Sequence, residues 1–378
     1  MWRNNFIKKS SIYAIILLLI LINIANSGSG SSEKFLLNKT KYFVNTSVSD
    51  IIIVPYDYPT IQDAIDNASD GDLIRVYNGT YYENLEIYKP VSIIGNGSQS
   101  TIIDGSEIGN PVNITSDDVL ISGFEITNSY GPFYRGAIRI ESSKNIIINN
   151  NTFFNNDYDL NLISCNALYE DIIIENNEFI EGRLANCGIW GVTESINISI
   201  LNNIIRDKEI GILSYGSQQI IIMDNIIENC NKAIIFETTI KSDIINNEII
   251  VTNRNLEVGI ELKNSDNNKI IYNFINSTFS YMFSSGLHIQ KSNNNIVKFN
   301  DFYLNLIAIR LEFSLFNRIN WNNLMLSYSG FELSCQLSPG FYQFNYWREL
   351  KGPLGNVLGL GIIFCYPRIF RPWQKIFH

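Results

Sequence analysis

The chain has 378 residues and a net charge of −9, with charged residues at only 17% and hydrophobic residues at 46%. The first 30 residues carry Arg3, Lys8 and Lys9 and no acid, so taking their +3 away leaves −12 on the rest. That balance excludes nucleic acid as a partner, because phosphate binding needs clustered Lys and Arg. The five cysteines (Cys165, Cys187, Cys230, Cys335, Cys365) show no metal-ligand spacing, and His288, His378 and the scattered methionines form no cluster, so neither metal nor cofactor is expected.

In chain order, a basic start leads into an apolar run from Ile12 to Ile24 and then to small residues at Ala25 and Ser27. This is the layout of a secretory signal peptide over 1–27, or of an anchor if uncleaved; the run is short for a membrane span. Either way the body lies outside the cytoplasm, extracellular or at the cell surface. A Ser- and Asn-rich linker without periodicity follows over 28–50. Residues 51–105 then open an ordered domain. Thr60 with Asp63 three places on, then Ile61, Ala64 and Ile65, reads as a capped amphipathic helix that closes one end of a strand stack. Nine N-x-[ST] sequons (Asn38, Asn45, Asn67, Asn78, Asn96, Asn113, Asn150, Asn197, Asn276) suit a glycosylated surface protein.

From 106 to 347 the sequence repeats. One mark is an asparagine followed two places later by Phe, Ile, Leu or Trp: Asn151, Asn177, Asn203, Asn225, Asn247, Asn273, Asn300, Asn322 and Asn345, spaced by 22 to 27 residues. The other is a small residue with apolar residues one and three places on, as at Ala233, Gly259, Gly286 and Ala308. Repeats of this length make a solenoid. Between the marks the pattern is strand-like and dominated by β-branched Ile, with no helix-length period. A leucine-rich horseshoe would need an LxxLxLxxN frame, which is not visible. The expectation is an all-β, right-handed, single-stranded parallel β-helix with a short N-terminal capping helix. The asparagines should stand at its bends, tolerating left-handed backbone and bonding to their copies one coil away. Cys187 and Cys230 begin coils two steps apart, about 10 Å, which no disulfide spans undistorted.

The opening block TIQDAID, GDLIRV, Gly79-Thr80-Tyr81-Tyr82-Glu83-Asn84, Lys89-Pro90, Ile94-Gly95 and Ile103-Asp104-Gly105, together with the repeats, resembles secreted right-handed β-helix proteins of the pectin-lyase-like superfamily. It is most similar there to archaeal surface proteins and to the periplasmic copper-binding (NosD-type) β-helix domain, also described as carbohydrate-binding and sugar-hydrolysis domains. The resemblance covers about Ile53 to Trp347 and implies the fold; fold does not fix function. Pectin methylesterase, polygalacturonase and mannuronan-epimerase motifs are absent, and the few His and Met do not support copper binding.

Residues 348–378 depart from the repeat and read as a cap over the last coil, or as an interfacial segment touching a membrane through Leu354 to Tyr366 and the nearby Arg368, Arg371 and Lys375. The register also defines a candidate site. Outward positions on the first strand of successive coils are Leu213/Tyr215, Ile235/Glu237, Glu261/Lys263, His288/Gln290, Arg310/Glu312 and Glu332/Ser334. The bland reading is a ladder of ion pairs that stabilises stacking. The functional reading gains from insertions before Gly188, Gly259 and Gly286, the last with Phe279, Tyr281 and Phe283, which should leave as loops from one edge beside this column. Aromatic loops beside carboxylates suit a glycan.

Two function classes follow. One is a non-catalytic surface β-helix that binds glycan or builds the cell envelope, and this is favoured. The other is a polysaccharide hydrolase or lyase acting in a cleft on this strand, with Glu237 as base beside Lys263, Glu261 as acid beside His288, and Tyr215, Lys263, Gln290, Arg310, Tyr281 and Phe283 binding substrate. Diagonal placement of Glu237 and Glu261, about 7–8 Å apart, suits an inverting pair.

Overall fold

The computed structural model describes residues 50–364 apart from 132–135, 163–169, 183–186, 194, 253–255, 278–279, 306, 326–330, 337–339, 344–345, 348–356 and 361–362. The expected signal peptide (1–27), nearly all of the linker and most of the C-terminal tail therefore lie outside the described residues.

Short Ile-rich strands wind into three parallel sheets visited in turn by every coil. Sheet 1 holds 14 strands, from Ile51–Val54 to Ile363–Phe364. Sheet 2 holds 12, from Gly79–Tyr82 to Tyr346–Trp347, and sheet 3 holds 12, from Leu85–Ile87 to Val357–Leu360. The fold is the parallel β-helix that the repeat dictates. Its coils run past 347: Val357 pairs with Leu333 and Ile363 with Gly340, so part of the expected tail belongs to the sheets.

Period fixes what each residue does. On sheet 1, Ile174, Ile200, Ile222, Ile244, Ile270, Val297 and Ile319 stack in register and are fully buried. Each contributes about 1.5–3 kcal/mol by leaving water. At the start of sheet 3 the small residues are demanded by close approach. A Cβ on Gly211 would lie 2.6 Å from the Ala233 carbonyl oxygen, and one on Gly259 would lie 2.5 Å from that of Gly286.

The asparagine series forms one line between sheets 1 and 2. Oδ1 of Asn177 accepts from the backbone N–H (3.0 Å) and Nδ2 (3.2 Å) of Asn151. The same pair of bonds recurs from Asn177 to Asn203, Asn225, Asn247, Asn273, Asn300 and Asn322. Asn345 is outside the described residues. The left-handed backbone belongs instead to the residue before each ladder member: Asn150, Asn176, Asn202, Asp224, Asn246, Tyr272, Phe299 and Trp321 all have φ between 53° and 62°. The ladder asparagines are selected for their buried amides, not for φ. A second ladder runs between sheets 3 and 1, where the backbone N–H groups of Ser242, Asn268 and Asn295 donate to Oδ1 of Asn268, Asn295 and Asn317 at 2.8–2.9 Å.

The N-terminal helix, Ile61–Asn67, is capped as its sequence demands. Thr60 Oγ1 accepts from the Asp63 N–H at 3.0 Å, and the Glu83 carboxylate takes the N–H groups of Ile61 (3.0 Å) and Gln62 (2.9 Å). Ile61, Ala64 and Ile65 are buried against the first coils.

Candidate functional site

Alternation on sheet 3 turns Ile234, Phe236, Ile260 and Leu262 into the core and their neighbours outward. Two outward columns result. One runs Tyr215, Glu237, Lys263, Gln290, Glu312; the other runs Leu213, Ile235, Glu261, His288, Arg310. Glu237 thus faces Lys263 across one strand boundary and stands diagonal to Glu261.

The columns are knitted into ion pairs. Lys263 Nζ donates to Glu237 Oε1 at 2.8 Å, and that bond raises the lysine's pKa. His288 lies between two carboxylates, its Nδ1 3.4 Å from Glu261 Oε1 and its Nε2 3.6 Å from Glu312 Oε2. Arg310 Nε donates to Glu312 Oε1 at 2.7 Å, and Gln290 Nε2 donates to Glu312 Oε2 at 3.1 Å. His288 holds the Glu261 carboxyl below its ordinary pKa, outweighing burial. Burial works to raise Glu312, but Arg310, with His288 and Gln290, outweighs it and holds this carboxyl down as well. A general acid needs the reverse shift. Tyr215 offers a half-exposed ring (49%), whereas Ile235 is buried at 7% despite facing outward.

The insertions are not loops throughout. Leu256–Lys263 and Ser280–Gln290 are long strands of sheet 3, with Leu256 opposite Ser280 and a register shift before Val258 meets Ser285. Tyr281 and Phe283 thus lie on a strand; their side chains, like residues 183–186, 253–255 and 278–279, are outside the described set.

Sequence reasoning missed a second charged feature. Lys208 Nζ meets Asp159 Oδ2 at 2.7 Å, and both side chains are fully buried. The ammonium also donates to the carbonyls of Ile180 (3.3 Å) and Glu181 (3.2 Å). Burial pushes Asp159 up to about 6, against the pull of Lys208 and Asn156. The two residues sit just before sheet 3 strands that are not adjacent, Leu160–Leu162 and Ile210–Tyr215, so no single repeat unit displays them together. Cys187 and Cys230 are buried, and burial raises the Cys187 thiol well above its usual range.

Residues 172–351 match the family described as periplasmic copper-binding protein (NosD). The chain is also similar to a cell surface glycoprotein of Methanothermus fervidus, 32% identical over 143 residues, which is 37% of this chain and 21% of the relative. The match thus spans about a fifth of that protein. Among solved structures, DFA-IIIase from Arthrobacter chlorophenolicus A6, in complex with GF2, is similar with a TM-score of 0.53 and 13% identity, over 86% of this chain and 100% of that one. The surface adhesin PfbA of Streptococcus pneumoniae has a TM-score of 0.48 and 14% identity, over 80% and 87% of the two chains. The likeness to DFA-IIIase is one of fold. Among the described residues the copper of the family description finds no fit. Among the described residues no group of three His, Cys, Asp or Glu is placed to hold a metal ion, and the Cys187 thiol is held protonated, away from the thiolate that copper takes.

Proposed function

We propose that this chain is a secreted or cell-surface β-helix that binds glycan, or joins the cell envelope through such binding, without cleaving it. The carrying observation is the state of the outward columns: Glu261 lies against His288, Glu312 is bonded by Arg310 and Gln290, and both carboxyls are held below their ordinary pKa. An ionised, paired carboxylate is a good acceptor for sugar hydroxyls and a poor proton donor to a leaving group. The half-exposed Tyr215 ring lies in the column that holds Glu237 and Glu312 and supplies an apolar face for a pyranose. Similarity to a cell surface glycoprotein and to a periplasmic family supports export, for which the N-terminal 27 residues are suited.

The test is electrophoresis of the purified protein through gels containing individual polysaccharides, with each mixture assayed for new reducing ends and unsaturated uronates. The expected result is retardation by at least one polysaccharide with no new ends. New ends or unsaturated products would favour the hydrolase or lyase reading, and no retardation by any polysaccharide would remove glycan binding.

A further inference from the structure

Asn78 lies in the bend between the strands Leu73–Val76 and Gly79–Tyr82, and its sequon Asn78-Gly79-Thr80 runs into the second of them. To accept a glycan, a sequon needs an uncommitted Nδ2 and a tripeptide that an enzyme can reach. The described sequons separate on these conditions. Nδ2 of Asn67 donates to the Asp63 carbonyl (2.8 Å), that of Asn96 to Asn78 Oδ1 (2.6 Å), that of Asn113 to Glu86 Oε2 (2.8 Å), and that of Asn197 to Asp171 Oδ1. Asn276 is half-buried within Phe274–Ser277, with its Oδ1 buried. Asn150 is exposed, but the hydroxyl of its Thr152 is tied to Ser98 Oγ at 3.0 Å.

Asn78 meets both conditions. It is exposed, its Oδ1 is occupied by Asn96, and its Nδ2 makes no hydrogen bond among the described residues. Thr80 is exposed too, on the terminal strand of sheet 2, whose outer edge no described strand covers.

A second, independent observation surrounds the same bend. Tyr56 (78% exposed), Tyr77 (36%) and Tyr82 (72%) present large aromatic surface to solvent. Tyr56 and Tyr77 meet edge to face, with ring centroids 5.5 Å apart, and the Arg75 guanidinium carbon lies 5.7 Å from the Tyr77 ring centre. Tyr81 donates its hydroxyl to the Tyr77 carbonyl at 2.9 Å and packs its ring over Gly79. Held rings of this kind, exposed together, suit a partner that is apolar on one face and hydroxylated at its rim. The face of a pyranose has that character.

We propose that Asn78 carries an N-linked glycan whose innermost sugars pack on Tyr77 and Tyr56. In the transfer, Nδ2 forms a bond to the anomeric carbon of a phosphate-linked glycosyl donor. The bond from that carbon to the phosphate oxygen breaks, the phosphate leaves with the electron pair, and the amide loses one proton.

Glycopeptide mapping of the native protein, purified from the organism that makes it, tests the attachment. The peptide with Asn78 should carry glycan while those with Asn113 and Asn197 are bare; a bare Asn78 overturns the proposal. The packing is tested by a cycle of Tyr56→Ala and Asn78→Gln in the glycosylating host. Tyr56→Ala should lower the melting temperature of the glycosylated protein by more than that of the Asn78→Gln protein, which loses only the contact with Tyr77. Equal effects in both backgrounds would overturn the seat on the tyrosines.

Discussion

Asn247 sits mid-ladder, and replacing it by alanine removes five hydrogen bonds at once. Its Oδ1 loses the Asn225 backbone N–H (3.0 Å) and the Asn225 Nδ2 (2.9 Å). Its Nδ2 loses the carbonyls of Ile222 (2.9 Å) and Ile245 (3.1 Å) and Oδ1 of Asn273 (2.9 Å). At a net value near 1 kcal/mol per bond, and with buried donors of Asn225 left unpaired, the loss comes to about 3–5 kcal/mol. Total stabilities of folded domains are about 5–15 kcal/mol, so the effect is large. Because solenoids unfold by neighbouring units, a denaturant midpoint is to be paired with hydrogen exchange of the Asn225 amide. Asn247→Ala should lower the midpoint and deprotect that amide. Lys269→Ala, which removes only an exposed pair with Asp243 at 3.3 Å, should change stability by less than about 1 kcal/mol. A ladder variant as mild as Lys269→Ala, with Asn225 still protected, would refute the claim that buried amides hold the coils together.

Other consequences are equally direct. Asp159 binds its proton more tightly folded (about 6) than unfolded (3.8), so its contribution is fully present below about pH 4 and is lost as pH rises through about 6, a change of about 3 kcal/mol. Unfolding midpoints at pH 4 and pH 7 should show this fall in the wild type and not in Asp159→Asn. Lys208→Met strands the buried carboxylate and should cost about 3–5 kcal/mol at pH 7, measured by denaturant unfolding. Gly259→Val drives a Cβ against the Gly286 carbonyl and should cost about 1–3 kcal/mol or more by the same measurement. Glu237→Gln should weaken affinity for a retained polysaccharide about tenfold, measured by calorimetry, with no turnover to lose.

How far the sequence carried the fold is clear from particular positions. The ladder asparagines recur from Asn151 to Asn322 with Ile, or once Val297, three places before each, so periodicity exposed them. The left-handed residues did not recur as a type: Tyr272, Phe299 and Trp321 adopt the same φ as Asn150 and Asn202, because the neighbouring bonds impose the turn whatever the side chain. The second ladder changes identity along its length, with serine at 242 and asparagine at 268, 295 and 317, and so gave no single-letter signal. On sheet 3 the register was legible, and it placed Lys263 beside Glu237 and His288 beside Glu261. Burial was not legible: Ile235 and Glu312 stand at outward register positions yet are only 7% and 9% exposed. The Asp159–Lys208 pair was invisible as well. Its members come from different coils: Lys208 stands where other coils carry Cys230 or Asn305, and Asp159 where later coils carry Gly188, Gly211 or Ala233.

The most direct test of the account is a crystal structure of the protein with an oligosaccharide cut from whichever polysaccharide retards it. The account predicts the sugar on the outer face of sheet 3, its hydroxyls within hydrogen-bond distance of Glu237, Lys263 or Gln290 and a ring against Tyr215, with every glycosidic bond intact. A sugar bound on sheet 1 or sheet 2, or found cleaved beside Glu237 and Glu261, would contradict it.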